Sequence, residues 1–159
     1  MTAQAPQRRI PSVPIVLGQV LCLVGLGVAV YLTIEHFDTA ITLACPDTGR
    51  INCQRVTTSQ YSRLAGIPVA VLGVVYFLVA LVLVSPQAWR STSTAIRWAR
   101  LGWVSIGALM VLYLVWAEFF GVNAICLWCT TVHVITFLLF VLVVLTEAWA
   151  VPAGDTAAA

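Results

Sequence analysis

The residues of this chain predict an all-α integral membrane protein, a bundle of four transmembrane helices in one domain, 1–159. Three observations carry that expectation. The 159 residues are 61% hydrophobic and only 9% charged, with a mean hydropathy of +1.00, which is more apolar surface than a soluble domain of this size can hide. Four stretches are long enough to span a bilayer, which takes ~20 apolar residues. Each is apolar all round, without the period-two alternation of a membrane barrel, and backbone groups in lipid must be satisfied within the segment, so the stretches are helices. A net charge of +2 and the lack of a basic, aromatic-interleaved patch argue against a nucleic-acid partner.

Taken in order, the first span runs from about 13 to 34 and carries no charge. Arg8 and Arg9 precede it as they would a signal peptide, but the run is too long for a signal core and no small-residue cleavage site follows. A polar loop covers about 36–65. The second span runs from about 66 to 84 and ends at the breaker pair Ser85-Pro86; the third runs from about 101 to 120, uncharged until Glu118. After the short turn 121–124 the fourth runs from about 125 to 146, with His133 its one ionisable side chain besides the thiols. The small, polar tail 151–159 reads as frayed. Arg8, Arg9, Arg90, Arg97 and Arg100 flank one side and Arg50, Arg55 and Arg63 the other. That bias places both termini in the cytoplasm of a multi-pass cell-membrane protein, with the long loop and the 121–124 turn outside.

There are five cysteines. Cys22, in mid-span, reads as a small hydrophobe. The other four fall on the outer, oxidising side, where disulfides persist. Cys45 and Cys53 bracket the turn-forming segment PDTGRIN and could be a loop staple. Cys126 and Cys129 stand three apart, on one helix face. Asn123 is the expected N-cap of that helix, which would put Cys126 in its first turn, where free N–H groups and the helix dipole favour a thiolate. A disulfide across one helical turn restricts little chain entropy, so a C-x-x-C there points to redox chemistry rather than to a staple. A four-cysteine zinc site is the chemical rival, weakened by the long Cys45–Cys53 spacing. His133 lies one turn deeper than Cys129, and Glu118 sits near the outer end of the third span; ionisable groups at such depths are functional candidates. Thiols facing a lipid-accessible cavity suggest an acceptor dissolved in the membrane. A quinone takes two electrons and two protons, the yield of one dithiol oxidation.

Beyond single motifs, the chain resembles the bacterial form of the vitamin K epoxide reductase family. CQRVTTS (53–59) is similar to the family's C-x-R-V-x-S-S, with Ser59 at its serine; GIPVAVLGVVY (66–76) resembles the start of its second helix; YLVWAEFF (113–120) precedes CLWC at the family's distance. The resemblance implies a four-helix bundle whose first loop forms a short helix and a cap over the outer mouth. It implies a relay: Cys45 exchanges with a partner thiol protein, Cys53 passes electrons to Cys126, and Cys129 faces the quinone. Family pocket positions fall on Val56, Ser59, Tyr61, Leu72, Tyr76, Leu114, Glu118 and His133. Two departures stand out: Val69 where the family often has Asn, and His133 where animal enzymes have Tyr.

The expected function is that of a membrane thiol:quinone oxidoreductase driving extracytoplasmic disulfide formation. The acceptor would be a quinone of menaquinone or ubiquinone type, with no metal. The chain stops soon after the fourth span, so the partner is expected to be a separate DsbA-like or thioredoxin-like protein. The rival from another class is a non-catalytic membrane protein with two structural disulfides. A conduit from the cytoplasm would have only Cys22 within reach.

Overall fold

The computed structural model describes residues 11–38, 44–46 and 48–149. Arg8, Arg9, part of the first loop and the tail lie outside the described residues. Three helices are long and apolar enough to cross a membrane: α1, Ser12–Phe37; α5, Thr94–Trp116, prolonged to Val122 by a π-helical turn; and α6, Leu127–Trp149. A shorter apolar helix, α3 (Val69–Leu83), packs against α1 and α5. Between α1 and α3 come α2 (Cys53–Thr57), a 3-10 turn (Gln60–Ser62) and a small hairpin of β1 (Arg63–Leu64) and β2 (Ile67–Pro68). The five-residue α4, Pro86–Arg90, links α3 to α5; Ser85 caps it and Pro86 sits in its first turn, as a helix start tolerates.

The second span is shorter than the sequence suggested. It begins at Val69 rather than at 66, because Ala65 and Gly66 both take positive φ (51° and 84°) and turn β1 back on β2. Pro68 then stands at the N-cap. Fifteen residues span roughly 22 Å, less than the ~30 Å hydrocarbon layer.

Lipid is as apolar as leucine, so helices in a membrane associate through close packing of small residues. The buried face of α1 is built that way: Gly18, Cys22, Gly25 and Ala29, then Leu32. Phe77 of α3 lies so near Gly25 that a Cβ there would collide with its ring. Tyr76 makes a similar approach to Gly107 of α5. Cys22 is fully buried, in a core with Ala80, Val84, Trp89, Val104, Leu139 and Val143. The outward faces stay apolar: Val82, Leu109 and Leu112 are each more than 60% exposed, as side chains that meet lipid should be.

Beyond that core, Arg100 of α5 is buried and donates from Nε to Glu147 Oε1 of α6 (3.0 Å), with a second contact from its Nη2 to the same oxygen. Its guanidinium lies 3.5 Å from the Trp89 ring centroid, and Arg97 Nε approaches Glu147 Oε2 at 3.2 Å. The sequence presented Arg97 and Arg100 as flanking charges; they clamp α4, α5 and α6 together.

Candidate redox site

The end of α5 sets up the site. Its last turn, Ala117–Val122, is π-helical, a form that concentrates at functional positions. Asn123 follows in the left-handed region (φ 56°, ψ 36°), which Asn tolerates better than most residues. The backbone N–H groups of Asn123 and Ala124 both donate to the Glu118 carbonyl. Asn123 therefore closes α5 instead of opening α6, contrary to the N-cap expected of it. The capping position of α6 belongs to Cys126 itself. Its carbonyl accepts from Thr130 N–H at 2.8 Å, and its sulfur accepts from Cys129 N–H at 3.2 Å. A sulfur standing where a capping oxygen usually stands meets the free N–H groups and the positive end of the helix dipole. Cys126 precedes the spanning segment, and its thiol is lowered from its ordinary value. The hydrogen bond shared with the Cys129 side chain is the main cause, burial opposes it, and the Cys129 backbone N–H adds to it.

The first loop is tied to this same point. Ile51 forms a parallel bridge with Ile125: Ile125 N–H donates to Arg50 O (2.8 Å) and Asn52 N–H donates to Ile125 O (3.1 Å). Asn52 also caps α2, its side chain accepting from Arg55 N–H at 2.8 Å, so Cys53 becomes the first residue of that helix. Two residues beyond the bridge on one strand is Cys53; one beyond it on the other is Cys126. Both are buried, at 2% and 0% exposure. Cys53 is disulfide-bonded to Cys45, with Cα atoms 6.1 Å apart, while Cys126 and Cys129 are free thiols.

Below the thiols lies a cavity of about 360 Å³, within the usual range for small-molecule sites. Cys129 is in its wall, and so are Val56, Ser59, Tyr61, Leu72, Tyr76, Leu114, Glu118 and His133. Val69 also lines it; Cys45, Cys53 and Cys126 do not. The wall is mostly apolar, and some of its polar groups are already engaged: Ser59 Oγ donates to Val56 O (2.8 Å) and Ser62 Oγ to Ser59 O (2.7 Å). Glu118 is 5% exposed and its Oε1 has no hydrogen-bond partner among the described residues; the same holds for the Tyr76 hydroxyl. His133 is 7% exposed. Sequence reasoning missed Trp103, Met110 and Thr136 of the lining. Helical spacing held the signal, since Met110, Gly107 and Trp103 precede Leu114 by 4, 7 and 11 residues, and Thr136 follows His133 by three. Trp103 backs Tyr76, with rings stacked at 5.9 Å and its Nε1 donating to Tyr76 O at 3.0 Å.

A disulfide docked beside a helix-capping thiol pair, over an apolar cavity among membrane-crossing helices, defines a class: membrane oxidoreductases that work on thiols. The comparison with known families is specific. The model of the vitamin K epoxide reductase family matches residues 16–144, most of the chain, and the chain belongs to that family. Its members are in general oxidoreductases that use quinones and work with thioredoxin-like partners. Comparison with curated proteins gave no match.

Proposed function

We propose that this protein reoxidises a separate DsbA-like or thioredoxin-like protein outside the cytoplasm and delivers the electrons to a membrane quinone. The observation that carries the reading is the Ile51–Ile125 bridge, which brings buried Cys53 and buried Cys126 to neighbouring positions. A thiolate of the partner attacks Cys45, breaking the Cys45–Cys53 bond and freeing Cys53 as a thiolate; the partner's second thiolate then resolves the mixed disulfide. Cys53 attacks an oxidised Cys126–Cys129 pair at Cys126, and Cys129 departs as a thiolate into the cavity wall. Cys45 attacks Cys53, the outer disulfide re-forms, and Cys126 leaves. Its lowered pKa makes it the better leaving group.

A quinone supplies a two-electron, two-proton sink. Apolar walls and unpartnered polar atoms at Tyr76 and Glu118 fit a ring carrying two oxygens. Tyr76 and His133 would donate to those oxygens, and His133 and Glu118 would handle protons. Val56, Ser59, Tyr61, Leu72 and Leu114 would enclose the ring and exclude water. In this reading α3 is the fourth crossing of a four-helix bundle. Residues 48–65 cover the outer mouth, and both termini face the cytoplasm.

The decisive experiment uses purified protein with a reduced dithiol partner and a quinone. Cys129→Ala abolishes quinone reduction with every reductant, whereas Cys45→Ala blocks the protein partner but spares a small dithiol that reaches the inner pair. Equal residual activity in the two variants sinks the relay. If His133→Phe leaves the pH profile of quinone reduction unchanged, His133 has no part in proton handling.

A further inference from the structure

Ala44, the residue before Cys45, is held by both of its backbone groups. Its N–H donates to the Tyr31 hydroxyl of α1 (3.3 Å), and its carbonyl accepts from Trp128 Nε1 (3.1 Å). The two aromatic rings meet edge-to-face with centroids 4.9 Å apart, so they form one clasp rather than two separate contacts. Trp128 belongs to the C-L-W-C sequence itself, between the two inner cysteines. Cys53 is fixed independently, by the bridge at Ile51 and the Asn52 cap. Of the two outer sulfurs, Cys53 therefore rides on the body of the protein and Cys45 on an arm whose position the clasp sets.

We propose that Trp128 and Tyr31 are positioning residues for the relay: by clasping Ala44 they keep Cys45 next to Cys53, and so set how easily the outer disulfide is reduced. The inference rests on the reading that electrons enter at Cys45. Its physical basis is effective concentration. In Cys45–S–S–Cys53 + 2 RSH → Cys45–SH + Cys53–SH + RSSR, two electrons and two protons pass from the small thiol to the protein, and the reverse reaction is favoured when the arm holds the freed Cys45 thiol beside Cys53. Loosening the arm shifts the equilibrium toward the dithiol.

The test equilibrates the detergent-purified full chain with glutathione buffers, and reads the redox state of each pair separately by thiol labelling and peptide mass. Trp128→Phe keeps a ring against Tyr31 but loses the donor; it lowers the constant favouring the outer disulfide roughly two- to tenfold, the range expected for one hydrogen bond. Tyr31→Phe lowers it less, because the Ala44 N–H is exposed and can turn to water. Should Trp128→Phe fold poorly, benzothienylalanine placed at 128 keeps the bicyclic ring and removes only the N–H, with the same shift expected. The constant for Cys126–Cys129 stays put in each variant. An unchanged outer constant in the Trp128 variants, or an equal shift of both pairs, overturns the clasp. Neither outcome bears on the relay, which stands or falls with Cys45→Ala and Cys129→Ala.

Discussion

At one end of α5 and α6, Arg97, Arg100 and Glu147 close on one another against Trp89. Roughly 27 Å along the same helices, Glu118 holds a buried oxygen with no partner among the described residues, beside a free thiol pair and a cavity. Both ends bury polar groups in a low-dielectric setting, yet only one pairs its charges. A paired buried charge fixes which helix faces meet. An unpaired buried polar atom on a residue that lines a cavity leaves capacity for a ligand or a proton. The first end is architecture, and the second is chemistry.

Substitutions can break that contrast, and the largest effect belongs to the thiols. Cys53→Ser or Cys126→Ser should reduce partner-driven turnover to background; Cys126→Ser should move Tm by no more than ~4 °C, since serine retains an acceptor at the helix cap, whereas Cys53→Ser also loses the bond to Cys45. Unfolding of either variant under the assay conditions would show that the redox end carries the fold as well. At the opposite end, Glu147→Leu strands buried Arg100 and should cost about 3–5 kcal/mol, with turnover retained wherever the protein stays folded. Arg100→Met combined with Glu147→Met should recover most of that loss in denaturant titrations.

Gly107→Ala lies between the two regions. Its Cβ would meet Tyr76 at 2.5 Å, and either the helices part, at about 1–3 kcal/mol, or Tyr76 shifts into the cavity. A raised KM for quinone with little change in Tm identifies the second response. The smallest effect concerns Cys126, followed by thiolate ultraviolet absorbance. Cys129→Ala removes the main cause of its lowered pKa, the hydrogen bond with the Cys129 side chain, so its titration midpoint should move up toward the ordinary thiol range, and a downward movement contradicts that hydrogen bond.

Much of this architecture was legible from hydropathy alone, because lipid demands long apolar runs wherever a chain crosses it. α1 and α6 start and end within three residues of their expected bounds, whereas α5 begins at Thr94, seven residues before the expected 101. The start of α3 was not legible, since a two-residue turn with alanine in the left-handed region leaves little trace in sequence. Asn123 misled for a related reason: asparagine suits an N-cap and a left-handed C-cap alike, and only the π-helical turn before it decides between them. Every expected pocket residue lines one cavity with Cys129. Glu147 escaped notice because the expected fourth span ended at 146. Trp128 and Tyr31 escaped because their partner is backbone, which carries no sequence signature.

The bridge and the clasp also bear on how the chain is made. The first loop leaves the ribosome early, yet two of the groups that hold it, Ile125 and Trp128, follow far behind; Trp128 is 84 residues beyond the Ala44 it grips. At ordinary elongation rates, about 5–20 residues per second, several seconds pass between the two. During that interval the outer cysteines have only part of their seat, and a chain truncated before residue 125 carries the Cys45–Cys53 loop without the strand that docks it.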